Sequence, residues 1–189
     1  MSNRGRTRDA SRQTRPRGAR RERPMPSPAP HRGVLHTIVS GGQTGADRAA
    51  LAWAIDRGIA HGGWCPRGRR AEDGIIPRRY RLTETPSDRY AERTEWNVRD
   101  SEGTVIFSLS DTLGGGSLLT ARIARALGKP WLHLSASADT PAAQLRRFVA
   151  EHGIRVLNVA GPRASGEPGV GRFVRQVLEA AFGTPRASR

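Results

Sequence analysis

The chain has 189 residues, a net charge of +15 and a hydrophobic content of 36%, with a mean hydropathy of -0.58. No apolar run approaches the ~20 residues of a membrane span, no apolar core near the N-terminus marks a signal peptide, and a single cysteine, Cys65, excludes an internal disulfide. The length fits one domain plus some extra sequence, and these features predict a soluble, cytoplasmic protein that makes no membrane contact.

The charge is unevenly placed. Residues 1–33 hold ten arginines against Asp9 and Glu22, which is about half of the net charge, with almost no large apolar side chain. Such a segment cannot bury enough surface to offset its ordering entropy, so residues 1–33 are expected to form a disordered tail. An arginine-rich tail attracts nucleic acid or other polyanions by counterion release, with a steep salt dependence. The plainer role is a solubilising extension. Asp9, Glu22 and the lack of amphipathic spacing argue against a transit peptide.

From Val34 to residue 182 short apolar runs alternate with amphipathic stretches, the pattern of βαβ units around a mainly parallel sheet. Residues 34–39 read as a first strand and residues 46–57 as a helix stopped by Gly58. Residues 59–65 suit a short second strand, and residues 66–82 a polar loop. Thr85, Pro86 and Ser87 open a polar helix running to about Ser101, with Pro86 suited to its first positions. A strand at 104–108, a helix at 117–128 and a strand at 130–134 follow. Next come a helix at 141–152, a last strand at 154–159 and a helix at 169–182; residues 183–189 read as a frayed end.

In an open parallel sheet, ligands settle where strands lead into helix N-termini. The first such junction here reads Ser40, Gly41, Gly42, Gln43, Thr44, Gly45, Ala46, Asp47. Glycines let backbone N–H groups approach an oxyanion, and the helix dipole adds positive charge. The stretch matches neither the dinucleotide fingerprint nor the P-loop. Thr44 and Asp47 also have the spacing of a capping box, and Asp47 would repel a bare anion unless it met a hydroxyl or a metal. The second junction is Leu113, Gly114, Gly115, Gly116, Ser117, Leu118, Leu119, Thr120. Three consecutive glycines are costly in chain entropy and suggest a backbone that passes close to a ligand, with Ser117 able to cap the helix and Thr120 one turn further in. The third is a polar helix on which Arg93, Asn97 and Asp100 share one face. They offer a guanidinium fork, an amide and a carboxylate for a phosphate or heterocycle; a solvated face of ion pairs is the alternative.

Between these junctions, Arg67, Arg69 and Arg70 could neutralise phosphates. Cys65 could ligate a soft metal, though lone cysteines more often pack as small hydrophobes. No His/Cys cluster has metal-ligand spacing, so no metal site is expected, and there is no nucleophile elbow.

These stretches together resemble the molybdenum carrier (molybdenum cofactor carrier) family, a Rossmann-like branch that is similar to the cytokinin-activating Lonely Guy phosphoribohydrolases. The matching blocks run from Ser40 to Leu51, Gly62 to Gly74, Arg93 to Ser101, Gly114 to Thr120 and Asn158 to Arg163, in order. The resemblance implies a Rossmann-like, three-layer α/β domain over residues 34–182, usually oligomeric, with a pocket formed by the two glycine loops. It implies binding of molybdenum cofactor (molybdopterin), a pterin phosphate carrying molybdenum. The phosphoribohydrolases carry P-G-G-x-G-T-x-x-E, and the loop from Leu113 to Thr120 lacks both its Pro and its catalytic Glu, which argues against base release by that route. The leading reading is a non-catalytic carrier. Backbone amides of residues 41–45 and 114–117 would hold the phosphate or oxo groups, and Arg69, Arg93 and Asn97 the charged or heterocyclic part. The alternatives are a hydrolase, glycosidase or sensor for a nucleotide or NAD-derived ligand, with Glu72, Asp73 or Glu95 supplying a carboxylate, and nucleic-acid binding through the tail.

Overall fold

Across residues 35–183, which the computed structural model describes, apolar runs become strands and amphipathic runs become helices. In chain order they are β1 (Thr37–Val39), α1 (Ala46–Asp56), β2 (Ala60–Gly62), β3 (Trp64–Cys65), a 3-10 turn (Arg67–Arg69), β4 (Arg70–Ala71), β5 (Gly74–Ile75) and β6 (Thr83–Glu84). Then follow α2 (Tyr90–Arg99), β7 (Gly103–Ser108), α3 (Gly115–Ala126), β8 (Trp131–Ser135), α4 (Pro141–Glu151), β9 (Val156–Ala160) and α5 (Val170–Phe182). The expected tail at 1–33 and all but Gly183 of the expected frayed end lie outside the described residues.

β1, β2, β7, β8 and β9 form one parallel sheet in the order β2-β1-β9-β7-β8. All six residues of β7 are buried, as the near-continuous apolar run of a strand covered on both faces requires. Alternation along the strands sorts the two faces. Val105, Phe107, Leu134, Leu157 and Val159 join the main core with Trp53 of α1, Phe148 of α4 and Val174 of α5. The opposite face carries Thr104 and Asn158, buried and hydrogen-bonded to each other at 3.2 Å, and α2 and α3 pack together outside that core. Right-handed crossovers demand this arrangement, because β1 to β2 and β8 to β9 travel one way along the sheet while β7 to β8 travels the other.

The helix stops follow one device. Gly58, Gly128 and Gly153 each sit one residue past a helix C-cap in the left-handed conformation, and the next residue donates back into the last turn: Ile59 N to Ala54 O, Lys129 N to Ala124 O and Ile154 N to Val149 O, each 2.9 Å.

Three expectations change. The helix expected from Pro86 begins at Tyr90, because Thr85 N donates to Cys65 O at 2.8 Å and the Thr85 hydroxyl to Ser87 O at 2.9 Å, which holds residues 85–87 in a bend beside β3. The stretch at 59–65 splits into two strands at Gly63, where a Cβ would fall 2.4 Å from Ser40 O. The polar loop at 66–82 contains an antiparallel β4–β5 pair and buries Ile76, Tyr80 and Leu82 against Leu51 and Cys65 in a second small core.

Phe107 is fully buried at the centre of the sheet and meets Phe173 edge-on at 5.7 Å. Phe107→Ala is expected to cost about 3–5 kcal/mol, read as a lowered midpoint in urea unfolding with an unchanged slope; a loss under about 1 kcal/mol would show that this core is loosely packed.

Candidate functional site

The sheet reverses its direction of winding around β9, which lies between β1 and β7. At such a switch point the loops leaving the carboxyl ends part and leave a crevice. Here that crevice is a cavity of about 490 Å³, walled by the loops after β1, β7 and β9 and by one face of α2.

The α3 end of the cavity is formed by Gly114, Gly115, Gly116, Ser117 and Thr120. The helix begins at Gly115 with Gly114 as N-cap, so Ser117 lies inside the first turn, buried, and is not the cap the sequence suggested. Thr120 donates its hydroxyl to Gly116 O at 2.9 Å. The first N–H groups of a helix have no partner within it, and no side chain caps them here. A Cβ added at Gly114, Gly115 or Gly116 would meet nothing within 4 Å. Side-chain packing therefore does not demand this glycine run, although Gly115 takes a left-handed φ of 47° that favours glycine, and the run leaves the backbone bare toward the cavity.

The β1–α1 loop is organised differently. Gly45, not Thr44, is the N-cap of α1, with φ 76° and ψ -123° that suit glycine. The expected capping box does not form: the Thr44 hydroxyl binds Glu72, and Asp47 accepts Gln43 N at 3.2 Å. Several amides expected to face a ligand are already satisfied. Thr44 N donates to Gln43 Oε1 at 3.0 Å and Ala46 N to Pro162 O at 3.3 Å. Gly42 is packed under Leu82 and Ile76, and Gly45 against residues 162–164. Of this loop, Gln43 and Asp47 reach the cavity wall, whereas Gly41, Gly42, Thr44 and Gly45 do not.

Asp47 and Arg93 make the electrostatic centre. Asp47 is 2% exposed and accepts Arg93 Nη1 at 3.2 Å. Burial pushes its carboxyl above the usual range, against the opposing pull of Arg93 and the Gln43 N–H. The Arg93 guanidinium occupies the space over Gly41, where a Cβ would fall 1.7 Å from Nη1. Arg93 and Arg163 both lie over the Tyr90 ring, at 5.9 and 5.3 Å from its centroid, and all three line the cavity. Two buried donors, Gln43 Nε2 and Arg93 Nε, are without a hydrogen-bond partner among the described residues.

Two expected ligand residues are used elsewhere. The Arg69 guanidinium donates to the carbonyls of Ile76, Pro77, Tyr80 and Leu82 at 2.9–3.2 Å, drawing the 66–82 segment over its small core. Asn97 clamps the Trp64 backbone through Oδ1 at 2.8 Å and Nδ2 at 2.9 Å, and Asp100 takes the Trp64 indole N–H at 2.7 Å. Of the α2 trio, Arg93 alone lines the cavity. Cys65 is buried and free, its thiol pushed up by burial. Glu72 bridges Thr44 and Ser165, Asp73 pairs with Arg48 at 2.7 Å, and Glu72, Asp73 and Glu95 all lie off the cavity wall. Tyr90, Arg163 and Glu167 were missed. Arg163 ends the last of the matching blocks, a signal that was available; nothing in the spacing marked Tyr90 or Glu167. No helix among the described residues is long and apolar enough to cross a membrane.

Comparison with known proteins places this geometry. Residues 38–182 match the model of the circularly permutated YpsA SLOG family. A crystal structure of a "putative molybdenum carrier protein" from Syntrophus aciditrophicus is similar to the chain at 44% identity, with a TM-score of 0.77 over 80% of this chain and 97% of that one. No curated protein matches.

Removing one partner of a buried ion pair leaves an uncompensated charge. Arg93→Met is expected to cost about 3–5 kcal/mol at pH 7. With its carboxyl raised, folded Asp47 holds a proton at pH values where the unfolded chain has lost it, so the stabilisation from that proton is present at low pH and is lost as pH rises through the folded value. The cost of Arg93→Met should therefore shrink as pH is lowered from 7 toward 4. Urea unfolding across that range checks it, and a pH-independent cost would remove Asp47 ionisation from the account.

Proposed function

The chain belongs to the circularly permutated YpsA SLOG family, and from that membership we propose that it is a binding protein that carries molybdenum cofactor, or a similar pterin phosphate, as cargo without breaking a bond in it. The observation that carries this reading is the bare glycine backbone at the start of α3, open to a cavity of about 490 Å³. A helix N-terminus with free N–H groups favours a phosphate, and the volume lies within the range of small-molecule sites.

The roles divide among the wall residues. The amides of Gly115, Gly116 and Ser117 hold the phosphate or oxo groups, and Arg163 balances their charge. Arg93 and Arg163, both over the Tyr90 ring, offer flat guanidinium groups on which a pterin ring can stack. Gly41, Gly42, Thr44 and Gly45 act indirectly, by setting the loop that presents Gln43 and Asp47; Arg69 and Asn97 hold the frame behind it. The two carboxylates on the wall are committed to the fold, Asp47 to Arg93 and Gln43 and Glu167 to the Leu109 N–H, which favours holding a ligand over general acid–base work on it. The name of the Syntrophus protein, which shares the fold at 44% identity, points the same way.

Gly116→Asp separates ligand binding from folding. Its Cβ has free space, and a carboxylate in the first turn favours the helix dipole by about 0.3–1 kcal/mol, so thermal stability should hold or rise. Binding should fall at least a hundredfold, because bulk and negative charge fill the phosphate seat. The check is molybdenum by elemental mass spectrometry and pterin fluorescence on protein purified from a host that makes molybdenum cofactor. Near-stoichiometric cargo in the unmodified protein and none in the variant is the expected result; equal loading of the two would sink the assignment.

A further inference from the structure

Two residues on the cavity wall, Gln43 and Arg93, carry an unmet demand for acceptors. Gln43 is 5% exposed. Its Oε1 accepts two backbone N–H groups, from Thr44 and from Glu72, each at 3.0 Å. Those two donors fix which way the amide points, since an NH₂ group cannot accept them. The Nε2 end is left without a partner, and so is Arg93 Nε on the same wall. The Gln43 backbone and the Arg93 side chain meet at one atom, Asp47 Oδ2, which accepts Gln43 N and Arg93 Nη1 at 3.2 Å each. One buried carboxylate there already balances one guanidinium, so this end suits a neutral acceptor better than a second anion.

We propose that Gln43 and Arg93 make their side of the cavity selective for a heterocycle that presents a ring carbonyl there, as oxopurines and pterins do, over one that presents an amino group. The inference rests on the reading of the α3 end as a phosphate seat, which fixes one end of the ligand and sends its ring toward Tyr90 and Gln43. A ring carbonyl satisfies the stranded donors. An exocyclic amine offers donors to donors and leaves the buried groups unpaired, the arrangement by which sites reject close analogues most strongly.

Inosine and adenosine monophosphates test this directly, because they share phosphate, ribose and ring skeleton and differ along one edge, a carbonyl beside N1–H against an amine beside a bare N1. Titration calorimetry of the full chain should give inosine monophosphate at least about tenfold tighter binding than adenosine monophosphate. Gln43→Glu keeps the acceptor oxygen that Thr44 and Glu72 use and turns the stranded donor into an acceptor, so the preference should close or reverse toward the amine. Should that variant fail to fold, the ratio in the unmodified protein still decides. Equal affinities, or tighter binding of adenosine monophosphate, would overturn the selectivity and leave the phosphate seat standing. Failure of both nucleotides and of ribose 5-phosphate to bind would overturn the phosphate seat and the selectivity together.

Discussion

The Asp47–Arg93 pair is the contact on which the site depends. It joins the start of α1 to the middle of α2, two helices on opposite faces of the sheet, across the carboxyl end of β1. The pair fits because Gly41 lacks a side chain where the guanidinium passes. The Asp47 oxygen that accepts Arg93 also accepts Gln43 N, so the charge pair orients a residue that lines the cavity. A buried pair of this kind is weak evidence for net stability; its evident effect is to fix geometry. It also accounts for the β1–α1 loop, which has the glycines of an anion site yet carries its anion within the chain, in the Asp47 carboxylate.

Around that pair the topology does the rest. With β9 seated between β1 and β7, three strand ends bring three loops to one crevice. Two of them are rigid by hydrogen bonding: Ser40 Oγ is tied to Val159 O at 2.6 Å, and Glu72 links Thr44 to Ser165 across the β1 and β9 loops. The third, before α3, is bare backbone. A hydrogen-bonded wall thus faces the bare backbone that leads into α3.

Much of this was legible in the sequence. Apolar runs located all five strands of the main sheet, and Gly58, Gly128 and Gly153 located three helix ends, because those signals are local. The glycine run before α3 stood out in the sequence, and in the structure it lines the cavity. What the sequence hid depends on partners distant in the chain. Arg69 and Arg93 are equally basic on paper; four carbonyls claim the first and a buried carboxylate the second. Asn97 looked like a reader of heterocycles and instead holds Trp64 in place. Thr44 and Asp47 had capping-box spacing, but a glycine N-cap and the reach of Glu72 gave each another partner. Tyr90 and Arg163 are 73 residues apart, and their stacking is visible only once β9 lies between β1 and β7.

The stranded donors on the cavity wall have a thermodynamic consequence for the life of the protein. A buried donor without an acceptor costs of order 1–3 kcal/mol, and the described residues hold two of them. A ligand that satisfies them binds the folded chain and not the unfolded one, so occupancy adds to stability by mass action, about 2.7 kcal/mol at a hundred times the dissociation constant. Empty molecules then sample the unfolded state more often than loaded ones and meet cellular proteases sooner. On the function proposed above, the supply of ligand would in this way bear on the standing amount of the protein through the linkage of folding to occupancy.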